Sequence, residues 1–214
     1  MVRYGLVPRF RFSLIMPIIA LNLLVFVCWH MLDRSDSGFM AQNFLVSWGA
    51  LLRGRVWTLL GSVFSHYTVL HIFLNMFVLW SFGSIMEQVL GRARFLSFYL
   101  LAGIFSSLCH CLVSAFFLGA PELPALGASG AISGLVLVFS LMFPKERILV
   151  FGIVPVPALW GAVAFVGLDI WGLFEQKHGG GLPIGHGAHL GGALAGLLFY
   201  FGYVRRKMRG LDQA

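Results

Sequence analysis

Long apolar runs recur along the whole of this sequence, and they restrict the chain to folds that lie in a membrane. Of its 214 residues, 59% are hydrophobic and 11% are charged, a composition that a soluble domain of this length could not cover with a polar surface. Because polar backbone groups must be satisfied internally in lipid, we predict an all-α, polytopic membrane protein. Residues 1–214 are expected to form a single transmembrane domain with no soluble domain.

Six segments are predicted to span the membrane, and the fourth of them is short. The predicted spans are 12–32, 67–88, 95–118, 129–143, 148–174 and 185–204. At 1.5 Å per residue the fourth, of about 15 residues, reaches only about 22 Å of a hydrocarbon core of about 30 Å. One of its ends is therefore expected below the membrane surface, and this end is assigned to Ser129.

The basic residues predict the orientation of the bundle. If both termini are cytoplasmic, only four of the 15 lysines and arginines lie outside, namely Arg34, Arg53, Arg55 and Lys177. This follows the positive-inside rule and accounts for the net charge of +7. Since the basic residues are divided among separate short segments, no nucleic-acid partner is expected.

Two connections between the predicted spans have unusual compositions. Residues 33–66 are amphipathic and are predicted to lie in the outer membrane interface, where packing against the bundle is the preferred role and presentation of substrate the alternative. Residues 176–185 contain three consecutive glycines and form either a movable cap or a plain connector.

Polar side chains inside apolar spans are costly, so each is a functional candidate. Ser129 begins the fourth span, and His189 lies in the sixth, one turn before Gly192. Gly192 and Gly196 form a small-residue face that allows close approach to another helix. Such an approach would bring the imidazole to the Ser129 hydroxyl, which predicts a serine nucleophile activated by a histidine base.

The second span supplies His71 and Asn75, which are four positions apart and share one helix face. Together with the backbone N–H of Ser129, they are candidate donors to the oxyanion of a tetrahedral intermediate. Gly127 and Gly130 flank Ser129 and permit a tight entry into its helix. Each polar residue taken alone could instead be a structural hydrogen-bonding partner between helices.

Other chemistries fit the sequence less well. It has no His-Glu-x-x-His motif, and Asp169 is the only carboxylate deep in a predicted span, whereas an aspartyl site needs two. The lysines lie at span ends, which disfavours a Ser-Lys pair. Adjacent helical residues point in diverging directions, so Cys109-His110-Cys111 is not expected to bind a metal, and no cofactor is predicted.

These motifs resemble those of the rhomboid intramembrane serine proteases over nearly the whole sequence. Gly127-Ala128-Ser129-Gly130 is similar to the family's nucleophile motif, and Ala188-His189-Leu190-Gly191-Gly192 to its catalytic-histidine segment. His71 through Asn75 resembles its oxyanion pair, and His66 the histidine that precedes this pair. The stretch from Glu87 to Gly91 resembles the end of its second helix.

The resemblance implies a compact six-helix bacterial type of enzyme with a Ser129–His189 dyad and no third acid. It also implies an inner-membrane location, cytoplasmic termini and a site that opens to the periplasm. The predicted function is hydrolysis of peptide bonds in or next to transmembrane segments, with transmembrane proteins as substrates and the lipid bilayer as environment. An inactive relative that binds transmembrane helices is the alternative, and a transporter is disfavoured because no inverted repeat is visible.

Four positions show how closely the sequence follows the family pattern. Thr58 follows Trp57 where many family members have arginine, and Ser133 replaces an aromatic residue that often stacks on the catalytic histidine. Ser106 and His110, four apart in the third span, resemble a polar pair that supplies water to the site. The sequence leaves open how His189 is held in place.

Overall fold

The computed structural model describes residues 13–32, 38–150 and 153–207, most of which are helical. The elements are α1 (Ile15–Met31), α2 (Phe39–Phe44), α3 (Trp48–Leu52), α4 (Thr58–Gly61), α5 (Val69–Leu90), α6 (Arg92–Phe117), α7 (Ser129–Met142), β1 (Arg147–Val150), β2 (Val154–Pro157), α8 (Ala158–Lys177) and α9 (His186–Lys207). The predicted spans correspond in order to α1, α5, α6, α7, α8 and α9. Residues 1–12, 33–37, 151–152 and 208–214 lie outside the described residues, and with them Arg3, Arg9, Arg11, Arg34 and Arg209.

Four of the described helices are long and apolar enough to cross a membrane, namely α5, α6, α8 and α9. Two shorter apolar helices accompany them: α1 has 17 residues and α7 has 14. The prediction of a multi-pass membrane protein is thus confirmed, and the count of six crossings stays a prediction. Large apolar side chains such as Trp160, Leu168 and Trp171 on α8 are exposed, as expected for a helix that faces lipid.

The predicted start of the fifth span at residue 148 is wrong. The strands β1 and β2 form an antiparallel hairpin in which Arg147 pairs with Pro157 and Val150 with Val154, and α8 begins only at Ala158. Pro155 and Pro157 explain the difference, because proline cannot donate its backbone nitrogen to a helix and disfavours helical geometry in the preceding residue. The fold is therefore a helical bundle with a small β-hairpin rather than purely α.

The short helix α7 is enclosed by α6, α8 and α9. Glycines on both helices allow its close contact with α9, since a Cβ at Gly192 would overlap the carbonyl of Gly130, and one at Gly196 would press on the carbonyl of Gly134. The two backbones consequently lie closer than any larger residue would permit. This close approach sets the position of Ser129 relative to α9.

The first loop is tied to the segment that precedes α7. Val46 and Ala125 exchange backbone hydrogen bonds of 3.0 and 2.8 Å, and Gly49 donates its N–H to the carbonyl of Pro121 at 3.0 Å. Arg53 adds an exposed bidentate ion pair with Glu122, with both N–O distances at 2.9 Å. These contacts favour the packing role for this loop, because they brace the chain that leads to Ser129.

Candidate active site

The helices α7 and α9 bring Ser129 and His189 together. Ser129 is the first residue of α7, and its Oγ lies 2.9 Å from Nε2 of His189 in the first turn of α9. Both residues are half-buried. When the imidazole carries its proton on Nδ1, Nε2 can accept the hydroxyl proton of Ser129.

Gly127 makes the turn that leads into α7. Its φ of +127° lies in the region that favours glycine, and its N–H donates to the carbonyl of Ser62 at 2.8 Å. A Cβ at this position would come within 2.8 Å of Cε1 of His71 and 3.6 Å of Oγ of Ser129. The absent side chain therefore makes room for the His71 ring next to the serine.

His71 and Asn75 lie on the same face of α5, as their spacing indicates, but their side chains make different contacts. The ring of His71 packs against Gly127. The side-chain amide of Asn75 donates to the carbonyl of His71 at 2.9 Å, which uses one of its two hydrogens. Oδ1 of Asn75 is buried with no hydrogen-bonding partner among the described residues.

His66 stabilises the turn that leads into α7. Its side chain is fully buried, and its Nε2 accepts the backbone N–H of Ala128 at 3.4 Å. Burial, together with the neighbouring His71 ring at a centroid distance of 4.8 Å, lowers the pKa of His66 to about 3. His66 is consequently neutral near pH 7, the form that can accept this bond.

Ser106 and His110, both on α6, contact different parts of the structure. Ser106 is buried directly against Gly130, where a Cβ would overlap its hydroxyl. His110 donates Nε2–H to the carbonyl of Leu123, in the loop between α6 and α7, at 3.1 Å. Within residues 13–32, 38–150 and 153–207, no group of three histidine, cysteine or acidic side chains is arranged to hold a metal, Cys109-His110-Cys111 included.

Glu87 lies far from this cluster. It is buried near the end of α5, about 24 Å along the helix axis from His71 at 1.5 Å per residue. Its carboxylate accepts the hydroxyl of Ser13 at 2.5 Å and the N–H of Leu14 at 2.8 Å. Glu87 therefore anchors the beginning of α1.

Asp169 is the residue that the sequence arguments missed. Its Oδ1, on α8, lies 3.0 Å from Nδ1 of His189 and 2.7 Å from Nδ1 of His186. The resemblance implies no third acid, whereas a buried carboxylate here contacts the histidine. Two sequence features could have identified Asp169: it is an ionisable residue deep in a predicted span, and two histidines lie three positions apart on one helix face.

Phe165 lies one turn before Asp169 on α8 and provides an aromatic neighbour for His189. Their ring centroids are 5.5 Å apart, with planes inclined by 30°. Ser133, at the position where an aromatic residue is often found, instead donates its hydroxyl to the carbonyl of Ser129 at 2.7 Å. The aromatic contact thus comes from a different helix than the resemblance implies.

Comparison with known proteins adds independent evidence. The family model of the Rhomboid domain matches residues 53–206. Presenilin-associated rhomboid-like protein A, mitochondrial, from Danio rerio is 37% identical over 196 residues, which cover 87% of this chain and 46% of that protein. Rhomboid protein 1, mitochondrial, from Saccharomyces cerevisiae is 32% identical over 198 residues, or 87% of this chain and 52% of that protein.

A third relative, RHOMBOID-like protein 12, mitochondrial, from Arabidopsis thaliana is 30% identical over 193 residues, which cover 85% of this chain and 55% of that protein. The chain spans about half the length of these curated relatives. The family model covers more than half of the chain, and the resemblance found in the motifs is confirmed at the level of the family. The chain belongs to the rhomboid family.

Proposed function

We propose that this protein is an intramembrane serine endopeptidase that cleaves peptide bonds in or next to the transmembrane segments of other membrane proteins. The observation that carries the proposal is the 2.9 Å separation of Ser129 Oγ and His189 Nε2 at the beginning of α7. With 14 residues, α7 is about 21 Å long, shorter than a hydrocarbon core of about 30 Å. Such a helix leaves its hydroxyl below the membrane surface.

In the proposed reaction, His189 takes the hydroxyl proton as Ser129 attacks the scissile carbonyl. The resulting oxyanion is stabilised by the His71 side chain, the side-chain amide of Asn75 and the backbone N–H of Ser129. Collapse of the tetrahedral intermediate gives an acyl-enzyme, and His189 donates its proton to the leaving amine. Water, deprotonated by His189, then hydrolyses the ester and regenerates Ser129.

A helical substrate must unwind locally before its carbonyl can reach Ser129, because each carbonyl within a helix is already bonded along the chain. Glycine and other small residues near the scissile bond lower this cost. We therefore propose transmembrane segments with small or helix-breaking residues as preferred substrates.

We also propose that residues 1–214 form one transmembrane domain with six crossings in a bacterial inner membrane, with cytoplasmic termini and a periplasmic opening. The distribution of basic residues supports this orientation. The contact of Arg94 with the Tyr203 ring, at 5.7 Å, groups two basic helix ends on one side, while Lys177 donates to the carbonyl of Phe117 on the other. The word mitochondrial in the relatives' names applies to those proteins, and alkaline phosphatase fusions within the loop 176–185 would test the periplasmic placement.

The serine is tested by assaying Ser129→Ala in detergent with a labelled transmembrane substrate, beside Ser133→Ala as a matched loss of a neighbouring hydroxyl. We expect Ser129→Ala to lose turnover by on the order of 1000-fold or more and Ser133→Ala to keep most of it. Unchanged turnover of Ser129→Ala would contradict the mechanism. If the wild-type protein binds the substrate but neither cleaves it nor reacts with a fluorophosphonate, the inactive helix binder becomes the better function.

A further inference from the structure

Two imidazoles converge on one carboxylate oxygen beside Ser129. Asp169 Oδ1 lies 3.0 Å from Nδ1 of His189 and 2.7 Å from Nδ1 of His186. We infer that Asp169 is the positioning residue for His189, and that His186 holds Asp169 in place for this role. The inference rests on the proposed protease function and adds to it a third and a fourth residue.

The hydrogen-bonding capacity of the groups assigns the protons. An ionised carboxylate can only accept, so each nitrogen that faces Asp169 must donate, and both histidines carry a hydrogen on Nδ1. In its neutral form, His189 then presents a lone pair at Nε2, which is the atom 2.9 Å from Ser129 Oγ. Asp169 thereby selects the tautomer that can act as a base toward the serine.

The burial of the group explains why a second histidine is needed. Only 4% of Asp169 and 6% of His186 are exposed. A buried carboxylate with one donor would remain poorly compensated, and His186 supplies the second donor. The shorter of the two contacts is the one with His186, which fits an anchoring role.

The two helices are shaped to fit this arrangement. On α9, His186 and His189 are three positions apart, and on α8 the same spacing separates Asp169 from Gly172. A Cβ at Gly172 would overlap the ring of His186, so the glycine opens the space that the second imidazole occupies. The contact of the His186 ring with Gly172 therefore fixes how α8 and α9 are aligned along their axes, and with this the position of Asp169 relative to His189.

The role of Asp169 in the reaction is electrostatic. When Ser129 Oγ bonds to the substrate carbonyl carbon, its proton moves to Nε2 of His189, which becomes an imidazolium. Asp169 retains its negative charge and stabilises this cation through the Nδ1–H bond without accepting the proton. The proton later leaves with the amine, and the charge on Asp169 is the same at the beginning and at the end.

Asp169→Asn in the full-length protein tests the inference, with Glu175→Gln as a matched loss of an acid on the same helix. The amide keeps the shape but removes the charge and can present N–H to the rings, which favours the wrong tautomer of His189. We expect kcat for a transmembrane substrate to fall on the order of 100-fold to 1000-fold. KM and the thermal midpoint should change little, and the rate of fluorophosphonate labelling of Ser129 should fall in parallel with kcat.

Asp169→Glu separates positioning from mere packing, because it keeps the charge while changing the shape more than asparagine does. We expect it to retain more activity than Asp169→Asn, even where its thermal midpoint is lower. Equal kcat values for the two variants, or a wild-type kcat for Asp169→Asn, would overturn the inference while Ser129-dependent cleavage stands. A wild-type protein without Ser129-dependent cleavage would instead overturn the proposed function itself.

Discussion

Phe165 packs against the imidazole of His189, with the ring centroids 5.5 Å apart, although the two residues lie on different helices. One turn further along α8, Asp169 contacts Nδ1 of the same imidazole. A single helix thus supplies both an aromatic and a hydrogen-bonding contact to His189. Any displacement of α8 relative to α9 would be transmitted directly to the proposed base.

Phe165→Leu should reduce cleavage about threefold to tenfold with little loss of stability. Aromatic ring contacts contribute about 0.5–1.5 kcal/mol beyond the area that they bury, and Phe165 is 42% exposed, so it contributes little to the core. The measurement is kcat on a transmembrane substrate together with the thermal midpoint in detergent. Trp171→Leu removes an exposed ring from the same helix and should behave as wild type. Wild-type kcat for Phe165→Leu would show that the ring contact does not hold His189.

Gly192→Ala should destabilise the bundle and impair the site together. The added methyl would overlap the carbonyl of Gly130, so α7 and α9 must separate, and overpacking of this kind costs roughly 1–3 kcal/mol. The same separation lengthens the distance between Ser129 and His189, which should lower kcat more than tenfold. Thermal unfolding and cleavage assays check both effects.

Gly202→Ala is the matched control, since it lies on the same helix with nothing within 4 Å of an added Cβ. Its thermal midpoint and kcat should remain near those of the wild type. Equal behaviour of the two variants would show that the glycine contact between α7 and α9 does not determine the site geometry.

The membrane class and the order of the apolar helices were predictable because length and hydrophobicity dominate the physics of a helix in lipid. The proximity of Ser129 to a histidine on α9 was also predictable, because Gly192 and Gly196 indicate a close helix contact. These features are local in the sequence. They require no knowledge of how distant side chains are oriented.

The contributions of α8 could not be predicted in the same way. Its start depends on Pro155 and Pro157, which prevent a helix in a run that hydrophobicity alone would assign to one. The convergence of Asp169 and Phe165 on His189 depends on the rotation of α8 about its axis. Helix rotation is set by packing against several neighbours at once, and no short motif encodes it.

Acid should destabilise the protein through His66. The pKa of this group is about 3 when it is folded and near 6.5 in an accessible chain, so between these values the unfolded state binds more protons. The stabilising contribution is therefore complete above about pH 6.5 and is lost as the pH falls toward 3. We expect the thermal midpoint of the wild type to decrease from pH 7.5 to pH 5.

The amide oxygen of glutamine in His66→Gln can still accept the N–H of Ala128. In this variant, the decrease in thermal midpoint from pH 7.5 to pH 5 should be smaller than in the wild type. His178→Gln changes an exposed histidine in the loop between α8 and α9 and should follow the wild type. His71 faces His66 and can also respond to acid, so the comparison rests on the difference between the two variants. An identical pH dependence in His66→Gln and the wild type would contradict the prediction.

Gly127→Ala should abolish most of the cleavage, because the added Cβ both strains the backbone and crowds the groups beside Ser129. A φ of +127° is strained for any residue with a Cβ, and this Cβ would press on the His71 ring at 2.8–2.9 Å and approach Oγ of Ser129. Gly119→Ala also places a Cβ at a positive φ, of +72°, but nothing lies within 4 Å of its added Cβ. Both variants should lose thermal stability, whereas only Gly127→Ala should lower kcat, by more than about tenfold. If cleavage falls equally in both, backbone strain and not crowding beside Ser129 accounts for the requirement for glycine at position 127.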